Sequence, residues 1–287
     1  MIMSMLSTPA TTQIGESNTT LRPRIIAWQM TLMMLVLLPA SLLLLQTDPR
    51  LLNGISVWVK PIKFEISLAL HFATLAVLVN LVAPVPRSGR FLRNAFSLSG
   101  IAALYEIGYI ALQAARGRAS HFNDGTALES ALYQVMGVGA VVLVVVAFLL
   151  GALILKAPRP QLGPGLRLGA GLGLTMGGVA TLLTAGIMGS GAIPEALGLP
   201  PGHWIGGDLS DAGGLPLLGW STTGGDLRVP HFFATHVMQV LPAVGWATDR
   251  FLPRRARRIV LGVSAGLLAV ILGTFIQAAL GIPFIRL

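Results

Sequence analysis

The chain has 287 residues, of which 54% are hydrophobic and only 11% charged, with a mean hydropathy of +0.75 and a formal net charge of +9. Soluble domains carry about a quarter of their residues as charges, so this composition excludes an ordinary water-soluble globule. No cysteine is present, which removes disulfides, thiolate metal sites and cysteine nucleophiles.

In chain order, residues 1–24, opening "MIMSMLSTPATTQIGESNTT", are polar and are expected to form a disordered cytoplasmic tail. The apolar run that follows starts late and is too long for a cleaved signal sequence, so it reads as an uncleaved anchor. A helix needs about 20 apolar residues to cross a bilayer. Seven runs meet that need, at 25–46, 62–83, 95–115, 129–155, 166–188, 231–249 and 258–280. The predicted fold is all-α: a single seven-transmembrane-helix domain over 25–287.

The positive charge is concentrated in segments that seven spans would place on one side. Arg22 and Arg24 precede the first run; Arg87, Arg90 and Arg93 follow the second. Lys156, Arg159 and Arg167 lie between the fourth and fifth, and Arg250, Arg254, Arg255, Arg257 and Arg258 between the sixth and seventh. The positive-inside rule makes that side cytoplasmic, with the C-terminus periplasmic and the chain in a bacterial inner membrane. The excess charge then serves orientation and anionic lipid rather than nucleic acid.

The opposite side carries the connections 47–61, 116–128 and 189–230, and with them "WVKPIKFEISLALH", "RGRASHFND" and "GHWIGGDLSDAGGLPLLGWSTTGGDLRVPH". All five histidines belong to these connections or to the adjoining helix halves. With a helical rise of about 1.5 Å per residue, His71, Glu106, His236 and Gln239 fall roughly 9–15 Å below the outer end. Ionisable groups at such depth are costly in lipid, face a cavity or one another, and mark function. Lys63, Ser67 and His71 share a face of the second helix, and His236 and Gln239 share one on the sixth, whereas His231 points away from His236. Lys60 and Lys63 are expected to snorkel to the interface. Gln134 and Gln277 are expected to make interhelical hydrogen bonds.

In the fifth run Gly165, Gly169, Gly173 and Gly177 recur every four residues. This small-residue ridge is a packing signal, with contact between two copies of the chain as one use. The 189–230 connection holds Trp204 and Trp220 and reads as an ordered lid, since long connections without function are uncommon.

"SLALH" on the second helix, Glu106 on the third and "HFFATH" on the sixth resemble the seven-helix ceramidase and adiponectin-receptor membrane hydrolases. That resemblance implies zinc held by histidines, an acidic residue and a serine beside them. "WVKPIKFEIS", "RGRASHFN" and "GWSTTGGDLRVPHFFATHVMQVLP" are similar to segments of uncharacterised bacterial multi-pass membrane proteins. Four functions stay open. In a metal-dependent enzyme acting on a lipid or other amphiphilic small molecule, His71, His236, His231 and Glu65 would hold zinc or iron, with Glu106 as general base and Ser67 beside it. Arg116, Arg118 and Arg228 would receive an anionic headgroup, with Asp226 fastening the lid and Gln239 lining the cofactor. In a haem b or quinone redox protein, His71 and His236 would be axial ligands. A proton-coupled transporter and a structural subunit complete the set.

Overall fold

The structure is a computed structural model and describes residues 22–286. Its elements run α1 (Pro23–Thr47), β1 (Leu51–Leu52), β2 (Ile55–Ser56), α2 (Val59–Leu78), α3 (Pro84–Ser88), α4 (Arg90–Ala115), α5 (Ala127–Lys156), α6 (Pro164–Ser190), α7 (Ala192–Ala196), β3 (Trp204–Ile205), β4 (Gly225–Asp226), α8 (Arg228–Phe251) and α9 (Ala256–Ala279). Among the described residues six helices are long and apolar enough to cross a membrane: α1, α2, α4, α5, α6 and α9. This is the make-up of a multi-pass membrane protein. The 1–24 tail lies outside the described residues apart from its last three, and α1 already begins at Pro23, where proline suits a first helical turn.

α8 is as long as its neighbours, 24 residues, yet its apolar run is interrupted by Arg228, His231, His236, Asp249 and Arg250, and it falls short of the apolarity of the other six. What carries it is packing. α8 runs antiparallel to α6 along the glycine ridge. A side chain on Gly169 would strike the Leu241 carbonyl, one on Gly173 would come within 3.0 Å of the Pro242 ring, and one on Gly177 within 3.1 Å of Val237. Hydrogen replaces Cβ at each of these steps, so the two backbones approach directly and gain dispersion contact along their length. The ridge is therefore spent inside the chain. The sequence-based expectation that it joins two copies loses its surface, because α8 already covers it.

Two further devices fix this pair. The Asp249 carboxylate accepts the backbone N–H groups of Gly165 and Leu166, at 2.7 Å each, satisfying donors that the start of α6 would otherwise leave open. At the other end Thr184 of α6 meets His231 of α8. The remaining helices form one apolar core around Met34, Phe72, Leu75, Phe96, Leu150 and Leu174, contributed by α1, α2, α4, α5 and α6. A smaller core, built on Ala234, Val237, Leu241 and Ile271, joins α8 to α9. α2 and α8 do not pack closely on each other, which leaves side chains rather than backbones to bridge the seam between them.

One end of the bundle is covered by a cap, residues 191–227. It is anchored on a hairpin, β1–β2, whose turn is Asn53–Gly54, with φ of 52° and 83°. Two left-handed residues make the tight reversal that Asn-Gly favours. The Asn53 carbonyl accepts both the Asp211 backbone N–H, 2.9 Å, and the Ser210 hydroxyl, 3.0 Å. Within the cap β3 pairs with β4, and Trp220 packs its ring against Phe232, Phe233 and Phe284. The cap thus ties the α1–α2 connection to the start of α8 and the C-terminal segment.

Candidate functional site

Arg228, the first residue of α8, is the centre of the cap. Its guanidinium donates to both Asp226 carboxylate oxygens, to Asp211 at 2.7 Å and to the Gly219 carbonyl at 2.6 Å. The Ser221 backbone N–H adds a bond to Asp226, 3.0 Å. The Asp226 side chain is wholly buried, so its charge is held by this network alone. Removing one partner from such a pair costs roughly 3–5 kcal/mol. Burial would raise the Asp211 carboxyl, but the adjacent His203 ring and the Arg228 charge outweigh it and hold it below the ordinary carboxylate value. His203 Nε2 lies 3.6 Å from Asp211, beyond hydrogen-bond length. Burial pushes His203 below its ordinary value, against the pull of Asp211.

Beneath the cap, four elements bring basic side chains to one place. His121 sits in the α4–α5 connection between the rings of Phe64 and Tyr133, at 5.6 and 5.7 Å, with Nδ1 3.2 Å from the Ser120 hydroxyl. Burial pushes its pKa well below the ordinary value, and the charges of Lys60, His203 and His231 push further in the same direction. A neutral imidazole at neutral pH follows. Lys60 and Lys63 stand on the first turns of α2, and Lys63 Nζ donates to the Leu218 carbonyl of the cap at 2.8 Å. The lysines expected to snorkel outward instead face the cap.

The tautomer of His236 can be read from its neighbour, whereas that of His231 cannot: the Thr184 hydroxyl lies 3.1 Å from His231 Nδ1 and also reaches the Ala180 and Thr181 carbonyls, at 2.9 and 3.2 Å. His236 Nδ1 faces the Phe232 carbonyl at 2.8 Å, which only an N–H can satisfy. The His236 ring is therefore protonated on Nδ1 and, when neutral, keeps a lone pair on Nε2. Deeper, Gln239 donates to the Thr74 hydroxyl across the α2–α8 seam, 3.1 Å, and its Oε1 has no partner. One turn towards the cap, the same faces carry His236 and His71. His71 Nε2 is buried without a hydrogen-bond partner, as is Glu106 Oε2 on α4. Lys60 is within electrostatic reach of Glu106, and His236 of His231.

Not every expected residue comes to this place. Glu65 turns to the other side of α2, where its Oε1 accepts the Ser41 hydroxyl of α1 at 2.7 Å; it joins two helices and leaves the expected metal set. Ser67 is exposed on α2 and makes no hydrogen bond among the described residues. Arg116 bonds the Gln113 side chain at 2.9 Å and, with Arg118, pairs with buried Glu129 at 3.6 and 3.0 Å. That clasp joins α4 to α5, because Glu129 also sits at the Thr126-capped start of α5. Gln134 is exposed, and Gln277 donates to the Pro283 carbonyl within its own segment.

His121, His203, Trp204 and Lys60 are the residues that spacing missed. The histidines were visible as types in "RGRASHFND" and "GHWIGG", but their convergence depends on loop paths that periodicity does not encode. No group of three or more His, Asp or Glu side chains among the described residues is placed to hold a metal ion. No protein-family model, curated protein or solved structure matches the chain.

Proposed function

We propose that the chain is a seven-span protein of a bacterial inner membrane, with the cap on the periplasmic side, and that it is an enzyme working by acid–base chemistry on a lipid or other amphiphilic substrate. The seventh span is α8, which accompanies α6 from Asp249 to His231, roughly 27 Å of helix. One observation carries the enzymatic reading: His236 commits Nδ1–H to the Phe232 carbonyl and leaves Nε2 without a hydrogen bond among the described residues. A histidine so oriented accepts a proton from a bound substrate and returns it to a leaving group. Glu106, with an unpartnered oxygen about 13 Å down α4, is the second proton acceptor, on a separate wall. The seam between α2 and α8 is the route by which an acyl or alkyl chain would reach both from the lipid.

A metal-assisted version draws on His236 alone, since metal-bound histidines characteristically donate their other nitrogen to a carbonyl. Among the described residues no three His, Asp or Glu side chains are grouped to hold an ion. A bound zinc or iron would supply Lewis acidity towards a carbonyl or phosphoryl oxygen. Haem b, taking His71 and His236, would supply redox chemistry instead.

Purified protein should hydrolyse at least one of a panel of fluorescent phospholipid and sphingolipid analogues. Glu106→Gln should lower kcat by about a hundredfold or more with KM little changed. Stoichiometric metal that disappears in His236→Ala selects the metal version, and a Soret band selects haem. Wild-type turnover in Glu106→Gln, or no turnover of any amphiphile, overturns the enzyme reading.

A further inference from the structure

α4 and α5 are joined over only part of their length. Gly139 of α5 lies so close to α4 that a side chain there would come within 3.6 Å of Ala102. On the cap side of that contact the Tyr105 hydroxyl donates to the Leu132 carbonyl at 2.9 Å, and Gln113, Arg116 and Arg118 all reach Glu129. Away from the cap no hydrogen bond or ion pair joins the two helices among the described residues, and they flank a groove of about 400 Å³ instead. Phe91, Asn94 and Leu98 line it from α4, and Val141, Val145 and Leu149 from α5. It follows α4 for roughly 11 Å and opens on the outside of the bundle, where Phe91 is 63% exposed and Leu98 53%.

The α4 wall is graded in polarity. Arg90, Asn94 and Leu98 follow one another at four-residue steps, which sets them on one helix face. From the start of the helix onward that face presents an exposed cation, an exposed amide and then an apolar side chain. Lys156 stands seven residues beyond Leu149, two turns along the same face of α5. That end of α5 is fixed beside the α2–α4 connection: the Ala83 backbone N–H donates to the Ala157 carbonyl at 2.9 Å, and the Arg159 N–H to the Leu81 carbonyl at 2.7 Å. Arg90, Asn94 and Lys156 make no side-chain hydrogen bond or ion pair among the described residues. The one acidic side chain described at this end of the bundle, Asp249, is engaged with the Gly165 and Leu166 N–H groups. Arg116, Arg118 and Arg228, the arginines expected to meet an anionic headgroup, are by contrast paired with Glu129, Asp211 and Asp226.

We propose that the α4–α5 groove binds one anionic phospholipid, with its phosphate on Arg90 and Lys156, its glycerol ester at Asn94 and an acyl chain along the groove. The order of cation, amide and apolar surface on α4 is the order of a phospholipid's own parts. An apolar helix would fill the groove but leave the cations unbalanced, and a free anion would balance them but leave the groove empty. Arginine and lysine suit this rim because their stems cover apolar surface while their charges stay at headgroup level, and basic pockets between membrane helices hold anionic headgroups. The site lies at the end of the bundle away from the cap. It stands apart from the enzyme reading and needs only that α4 and α5 cross the membrane.

Full-length protein in an uncharged maltoside detergent should be titrated with dioleoyl phosphatidylglycerol and with dioleoyl phosphatidylcholine, the bound lipid being counted by native mass spectrometry. The first phosphatidylglycerol should bind at least about tenfold tighter than the first phosphatidylcholine. Arg90→Gln combined with Lys156→Gln should abolish that preference, and Arg90→Lys should retain most of it. Val145→Trp, which fills the groove from an exposed position, should weaken both lipids by about fivefold or more. Arg254→Gln combined with Arg255→Gln removes the same charge from the exposed α8–α9 turn and should leave the preference intact. Equal affinity for the two lipids, or an equal loss of preference in the two double variants, overturns the site, since charge would then be unread or read only in bulk. Wild-type lipid binding in Val145→Trp also overturns it, and a dimer mass lost in that variant would give the groove to a second copy of the chain. All the substituted side chains are exposed, which keeps folding out of the comparison.

Discussion

His121 shows how a single side chain can report on the packing around it. Enclosed by Phe64 and Tyr133 and faced by Lys60, His203 and His231, it is neutral in the folded protein. In the unfolded chain it titrates near 6.5. Its folded pKa is the lower one, so its contribution to stability is complete above about pH 6.5 and is lost as the pH falls below that value. His203 acts in the same direction. Asp211, held below 3.8, adds a loss confined to more acidic solution. The thermal midpoint of the purified protein should therefore fall between about pH 7.5 and pH 5.5. His121→Phe, which suits the aromatic enclosure, should flatten that dependence. Identical pH profiles in the two proteins would show that His121 does not control it. The residue type was visible in the sequence, but most of its neighbours were not: apart from Tyr133, they come from α2, the cap and α8, which lie far from it along the chain.

Among the elements, α6 and α8 depend most on one another. Small residues every four positions were legible in "GPGLRLGAGLGLTMGG" as a close-packing face; which helix they would meet was not, since a ridge fits any partner of matching shape. The structure gives α8. At Gly169 the obstructing atom is the Leu241 backbone carbonyl, which cannot swing aside as a side-chain tip can. Gly169→Ala should lower stability by about 1–3 kcal/mol or more through overpacking, read as a lower thermal midpoint. Gly186→Ala on the same helix has open space around its new methyl group, so its midpoint should match or slightly exceed the wild type. Equal losses at the two positions would mean that helix propensity, and not the α6–α8 contact, decides the outcome.

For the whole molecule the open question is the number of crossings. Six helices qualify by length and apolarity, and α8 adds a seventh crossing if it follows α6 through the bilayer. Asp249 bonding the start of α6 and His231 bonding Thr184 near its end place the two ends of α8 at the two ends of α6. A seventh crossing also puts Arg87, Lys156 and the Arg254–Arg258 cluster on one side, as the positive-inside rule requires. Reporter fusions after Gly214 and after Arg254 should then report opposite sides. The same side for both would remove α8 from the membrane and place the basic α8–α9 turn beside the cap.

Hydropathy alone located the six long apolar helices, because crossing a bilayer is a local demand on some twenty successive residues. It also gathered the histidines, Glu106 and Arg228 at one end, because helical rise converts sequence distance into depth. Partner identity was decided elsewhere. Glu65 and His71 are both ionisable residues on α2, yet Glu65 turns to Ser41 while His71 is buried without a partner. Arg228 closes on Asp211, seventeen positions earlier in the chain, and the Asn53–Gly54 turn that anchors this cap lies far upstream. Each of these contacts depends on how a helix is rotated about its axis and on where a long connection runs. Both are set by packing summed over the whole bundle, so no local window of sequence contains them.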